Sequence, residues 1–144
     1  MAAKFPHTYS VSLSDIQGKQ AKVNYDSSEI VQGGPPKEFD GVDTDWSPEG
    51  FLIAGVILCF LTTFRAIHKD NSLKIEDLDI SGNGLLDKTS KGLVFTEINV
   101  MVSCSTNDKE AAEKLLYRAE KFCLISNALK TTPSLSLKLN DLAV

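Results

Sequence analysis

Residues 47–64, SPEGFLIAGVILCFLTTF, decide how the chain folds. Ser47 can cap free N–H groups, Pro48 suits the first helical position and Glu49 suits the positive end of the dipole, so a helix starts here. From Phe51 to Phe64 no residue is charged and the apolar side chains run nearly all round. That pattern predicts a helix to about His68, buried on every side. The uncharged run is too short to cross a bilayer, which takes about 20 residues. The expectation is therefore a central core helix, wrapped by sheet and by a partner, with no membrane association.

Upstream, Tyr9, Val11 and Leu13 alternate with serines, and Ala21, Val23 and Tyr25 alternate with Lys22 and Asn24. With turn residues Gln17 and Gly18 between them, this starts a β-meander. Residues 33–50, GGPPKEFDGVDTDWSPEG, are dense in Gly, Pro and Asp and read as a loop, and Pro35-Pro36 breaks any phosphate-cradle pattern.

Downstream, Leu73 and Ile75, then Leu78 and Ile80, keep period two with a phase slip that implies a bulge. Ser81-Gly82-Asn83-Gly84 reads as turn chemistry or an irregular strand. Residues 93–104 make a strong strand with Ile98, Val100, Val102 and Cys104 facing inward. Asn107 and Glu110 resemble a capping box for a helix whose apolar stripe includes Ala112, Leu115, Leu116, Ala119 and Phe122. Ser126 and Asn127 interrupt it before a last strand at Leu135, Leu137 and Leu139. The order is three strands, a long helix, two long strands, a helix and a strand, an α+β arrangement.

The chain has 144 residues, 42% hydrophobic and 24% charged, with 15 basic against 19 acidic side chains. This describes one globular domain, residues 1–144, and excludes a disordered chain. A pI near 5.1, with lysines scattered among acids, argues against nucleic acid. The amino end shows no apolar core of a secretory signal, so a cytoplasmic location is expected. There Cys59, Cys104 and Cys123, in no CxxC arrangement, stay reduced, and any disulfide is transient and functional. With His7 and His68 they form no local ligand pair, so no metal is expected, and no GxSxG elbow occurs.

WSPEGFLIAGVILCFLTTF resembles the central helix motif of the OsmC/Ohr family of organic hydroperoxide reductases, and EKFCLISNAL resembles its second cysteine motif. The resemblance spans nearly the whole chain. It implies antiparallel sheets around a long central helix, an intertwined homodimer with two active sites near the subunit interface, and thiol chemistry that detoxifies organic hydroperoxides under oxidative stress. By the same resemblance Cys59 is peroxidatic, Cys123 is resolving, and Glu49 is the first motif's acid. No bound cofactor is implied; the family's reductant is an external dithiol, in several members a protein-bound lipoyl group.

Two departures stand out. Peroxidatic members carry an Arg in the N-terminal sheet or loop, whereas no Arg precedes Arg65 here; Lys22 and Lys37 are the candidate substitutes, as point charges without the forked geometry. This leaves open a second reading, a non-catalytic OsmC-like protein that binds a small apolar ligand or a partner. Leu124 also replaces the Pro that often follows the resolving cysteine.

Attack on an O–O bond needs a thiolate, and a free thiol ionises only near about pH 8.5. Dipole help fades within one helical turn, so a bend or restart at Gly55 is one way to bring free N–H groups to Cys59. Glu49 and Cys59 are about 15 Å apart along a straight helix. Either the helix breaks, or Glu49 serves the partner's thiol, or it is a helix-start charge. Arg65 points away from Cys59. Trp46, Phe51, Phe60 and Phe64 are candidates for an apolar mouth preferring alkyl or aryl peroxides, or else plain core.

Overall fold

A computed structural model describes residues 4–143. The backbone forms two compact units, residues 1–51 and 52–144. In the first, β1 (Val11–Gln17), β2 (Gln20–Tyr25) and β3 (Val31–Gly33) make an antiparallel sheet in that order. The β1–β2 turn falls at Gly18 and Lys19, one residue later than expected, and Gly18 takes φ +60°, where glycine alone avoids a steric cost. The loop that follows holds a single 3-10 turn, Lys37–Phe39, and returns to pair Trp46 with β3. Trp46 N–H donates to the Gln32 carbonyl at 2.9 Å, and Gly34 N–H donates to Trp46 O at 2.9 Å.

Helix α1 spans Pro48–Ile67, and Ser47 Oγ accepts the Gly50 N–H at 3.0 Å, the cap the sequence implies. With 20 residues and a mean hydropathy of 2.0, α1 is long and apolar enough to cross a membrane by length and composition. Its packing in the second unit is that of a core helix. Val56, Phe60 and Phe64, four apart, form one fully buried stripe against Ile98, Val100 and Val102 on one side and Leu116 and Ala119 on another. Burial on every side is not what this chain provides: Leu58 is 60% exposed and the flanking positions are half-buried. A helix apolar all round shows that every face avoids water, and one sheet covers only one of those faces.

The second sheet has the order β4 (Ile75–Thr89), β5 (Gly92–Thr106), β6 (Ser134–Asp141). The phase slip between Ile75 and Ile80 is a bulge, with Asp77 at φ 51°. Gly82 and Gly84 belong to β4 rather than to a turn. A Cβ on Gly82 would lie 2.6 Å from Ile57 Cγ2, and one on Gly84 2.9 Å from Ile53 Cδ1, so the bare strand lets α1 lie close. β5 carries Ile98, Val100, Val102 and Cys104 inward, as the alternation requires.

β4 and β5 are antiparallel, but β6 runs parallel to β5. Parallel neighbours need a crossover, and α2 (Lys109–Phe122) and α3 (Leu124–Asn127) supply it. The cap of α2 is Asp108, whose Oδ1 accepts the Ala111 N–H at 3.0 Å. Asn107, the expected cap, instead accepts the Lys74 N–H at 2.8 Å and donates to Ser72 O at 2.8 Å, tying the start of β4 to this corner. Phe122, placed by periodicity on the apolar stripe, is exposed at the helix end.

Candidate functional site

The second unit brings Cys59 and Cys123 together across the joint between α1 and the α2–α3 corner. Cys59 lies on the half-buried flank of α1, and Cys123 is fully buried. Cys123 Sγ is 4.0 Å from the carbonyl oxygen of Val56, less than one turn before Cys59. The Ile125 N–H donates to Cys59 Sγ at 3.5 Å, and Thr63 Oγ1 lies 3.9 Å from the same sulfur. The two thiols are near enough to act on each other: burial pushes the Cys123 thiol up from its ordinary pKa, and the neighbouring Cys59 raises it further. All three cysteines are free thiols in this structure.

The local chain explains this convergence. Cys123 is the single extended residue, at φ −66° and ψ 110°, between two helices, ending α2 and capping α3. The first N–H groups of a helix lack partners within it, and that of Ile125 points at Cys59. α1 itself is unbroken from Pro48 to Ile67, so the bend at Gly55 does not occur. Contact between Glu49 and Cys59 through a broken helix goes with it. The free donor near Cys59 comes from another helix, and the lapse of helical periodicity at Ser126 and Asn127 was the sequence signal for it. Leu124 occupies the first position of α3, where a Pro is equally at home.

Other candidates lie elsewhere. Phe60 and Phe64 are sealed in the core and line no mouth. Trp46 and Phe51 stack with ring centroids 5.2 Å apart in the first unit. There, with Leu13, Ala21, Val23 and Pro48, they line an apolar cavity of about 510 Å³. Lys22 is ion-paired with Asp15 at 3.0 Å, and Lys37 is exposed on the 3-10 turn. Glu49 has one carboxylate oxygen enclosed and without a hydrogen-bond partner among the described residues. Arg65 is exposed, over the edge of the core at 5.8 Å from the Phe64 ring. His68 donates from Nε2 to Leu73 O at 2.9 Å, a structural bond closing the end of α1. Cys104 is buried on β5, and burial pushes its thiol up. Sequence reasoning missed Glu120 and Ser126, close to Cys123 along the chain, each with an enclosed oxygen that has no hydrogen-bond partner among the described residues.

The chain is 28% identical over 109 residues to the uncharacterized protein YmaD of Bacillus subtilis (strain 168), covering 72% of this chain and 73% of YmaD. It is also 28% identical over 97 residues to the organic hydroperoxide resistance protein OhrB of the same organism, covering 67% of this chain and 71% of OhrB. In fold it matches the structure of an OsmC-like protein of unknown function from Vibrio cholerae with a TM-score of 0.80 at 16% identity, over 92% of this chain and all of that one. The sequence profile described as OsmC-like protein matches residues 41–138, which hold both α1 with Cys59 and the corner with Cys123. The chain therefore belongs to the OsmC/Ohr family, which includes organic hydroperoxide resistance proteins.

Proposed function

We propose that the protein is a two-cysteine peroxidase for organic hydroperoxides, the class named by its relative OhrB. The observation that carries the reading is the meeting of Cys59 and Cys123 on one joint, with the Ile125 N–H on the Cys59 sulfur. In the first step the Cys59 thiolate takes the outer oxygen of ROOH. The O–O bond breaks, ROH leaves and Cys59 becomes a sulfenic acid. Cys123 then condenses with it, releasing water, and an external dithiol, such as a lipoyl group, returns both thiols as it is itself oxidised. The Ile125 N–H hydrogen bond holds the Cys59 sulfur at this joint, beside Cys123.

The working form in this reading is a homodimer in the cytoplasm, where free thiols stay reduced. A second copy would cover the half-exposed flank of α1 around Gly55 and Leu58, where a single chain places nothing within 4 Å of a Cβ on Gly55. Glu49, with an enclosed oxygen lacking a partner, suits service across that interface better than a helix-start role alone.

A second reading, a non-catalytic binder of a small apolar ligand, is favoured by the apolar cavity of the first unit and the lack of any Arg before Arg65. One experiment separates them. Purified protein is mixed with cumene hydroperoxide and a dithiol, and peroxide loss is followed in wild type, Cys59→Ser and Cys123→Ser. The peroxidase reading expects turnover in wild type, none in Cys59→Ser, and stoichiometric loss without an internal disulfide in Cys123→Ser. Equal, negligible loss in all three would establish the second reading instead.

A further inference from the structure

Two adjacent threonines, Thr62 and Thr63, follow Cys59 on α1, and the structure uses them differently. Inside a helix, a threonine hydroxyl commonly turns back onto a carbonyl of the preceding turn. Thr62 does so, donating from Oγ1 to Cys59 O at 3.1 Å. Thr63 is half-buried and instead sets its Oγ1 3.9 Å from Cys59 Sγ; among the described residues its hydroxyl makes no other hydrogen bond. That separation is long even for a contact to sulfur, so the hydroxyl holds the resting thiol only weakly. An oxygen bonded to the sulfur on the Thr63 side comes closer to the hydroxyl than the sulfur itself, into the ordinary range of a hydrogen bond.

Displacement at sulfur runs in line, with the attacking sulfur entering on one side and the leaving group departing on the other. The contacts at this joint suit such a path. Cys123 Sγ rests 4.0 Å from Val56 O, in the turn before Cys59, whereas Thr63 belongs to the turn after it. We propose that Thr63 is a catalytic residue of the resolving step, its hydroxyl donating to the oxygen that leaves Cys59 as Cys123 closes the disulfide. Among the described residues, the hydrogen-bonding groups on the Cys59 sulfur are the Ile125 N–H and the Thr63 hydroxyl. Of the two, the hydroxyl is the side-chain group, and its rotor can follow a departing atom. A sulfenic sulfur carries no proton, so in that state the hydroxyl is the donor of the pair.

The step rests on the peroxidase reading, in which a hydroperoxide has already turned Cys59 into a sulfenic acid and left as ROH. The electron pair of the Cys123 sulfur forms the S–S bond with Cys59, and the sulfenic S–O bond breaks with its electrons on oxygen. The departing hydroxide and the proton that Cys123 loses make one water. Thr63 donates a hydrogen bond while charge grows on that oxygen and keeps its own proton. Hydroxide is a poor leaving group, so a donor placed where its charge develops lowers the barrier, as donors to other oxyanions do. A leaving thiol of low pKa departs readily without such help.

The test measures disulfide closure in the full chain with Cys59 loaded in two ways. Excess cumene hydroperoxide makes the sulfenic acid, whose leaving group is hydroxide; samples stopped with dimedone, which captures unreacted sulfenic acid, are read by mass spectrometry. The aromatic disulfide dithiobisnitrobenzoate makes a mixed disulfide on Cys59, whose leaving group is a stabilised aryl thiolate followed by its colour. Thr63→Val is expected to slow closure from the sulfenic acid by about 100-fold, the lower end of the cost of losing one oxyanion donor, and to leave closure from the mixed disulfide at the wild-type rate. Thr63→Ser, which keeps the hydroxyl, should restore the first rate, and Thr62→Val, whose hydroxyl faces a carbonyl, should change neither. Closure from the sulfenic acid at the wild-type rate in Thr63→Val overturns the proposal. So does an equal slowing of both closures, the mark of a disturbed helix, or a Thr63→Ser variant as slow as Thr63→Val. If cumene hydroperoxide leaves wild-type Cys59 unoxidised while hydrogen peroxide loads it and closure still depends on Thr63, the organic hydroperoxide reading falls and the role of Thr63 stands. If neither peroxide oxidises Cys59, both fall.

Discussion

In residues 52–144, Val56, Phe60, Val100 and Leu116 are shut away from solvent, whereas in residues 1–51 Val11, Leu13, Ile16 and Tyr25 stand in it. Both stretches alternate apolar and polar positions as their strands demand. The second unit spends its apolar face on a core made by α1, β5 and α2. The first has a three-stranded sheet whose buried hydrophobic residue is Ala21, together with an open apolar cavity. The contrast teaches that patterning announces a face to be covered without saying by what. An apolar sheet exposed in this way is a surface the proposed dimer would cover.

The largest test of the contrast is truncation on each side. Phe60→Ala should cost about 3–5 kcal/mol in urea unfolding, while Leu13→Ala should stay within about 0.5 kcal/mol in dilute protein. A comparable loss for Leu13→Ala would mean the first sheet is covered in solution, and protein concentration would then shift its midpoint. Next comes a pair of glycines. Gly84→Ala places a Cβ 2.8 Å from the Phe95 ring and should destabilise by about 1–3 kcal/mol. Gly55→Ala has open space and should stabilise a lone chain by about 0.5–1 kcal/mol. A loss at Gly55 in sedimentation or unfolding would sharpen the contrast, because it would place a second copy there.

The smallest effect is a pH dependence confined to the second unit. Burial raises the thiols of Cys104 and Cys123, so the unfolded chain releases their protons first. The stability they confer is complete below the unfolded value of about 8.5 and drains away as pH climbs toward the folded values. Thermal midpoints should fall across that alkaline range, less steeply in Cys104→Ala.

The elements themselves were legible. Ser47-Pro48-Glu49 announced α1, the phase slip announced the bulge at Asp77, and the alternation over 98–104 announced the inward face of β5. Misreadings occurred where two physical accounts fit one pattern. Asn107 and Asp108 both make good caps, and the need to tie down Lys74 and Ser72 took Asn107 elsewhere. For Ser81–Gly84, left open between a turn and an irregular strand, the strand is the outcome, and the closeness of Ile53 and Ile57 explains Gly82 and Gly84 in it. Both cysteines were found from the motifs. The donor from Ile125 and the buried Ser126 were hidden because a four-residue helix leaves almost no periodic trace.

The extended link at Cys123 bears on the proposed disulfide cycle. A sulfur mounted on one non-helical residue between α2 and the short α3 has its reach set by a small swivel. The long hairpin of β4 and β5 is anchored by other side chains. In the proposed disulfide cycle, movement at that link would leave the pairing of β4 and β5 in place.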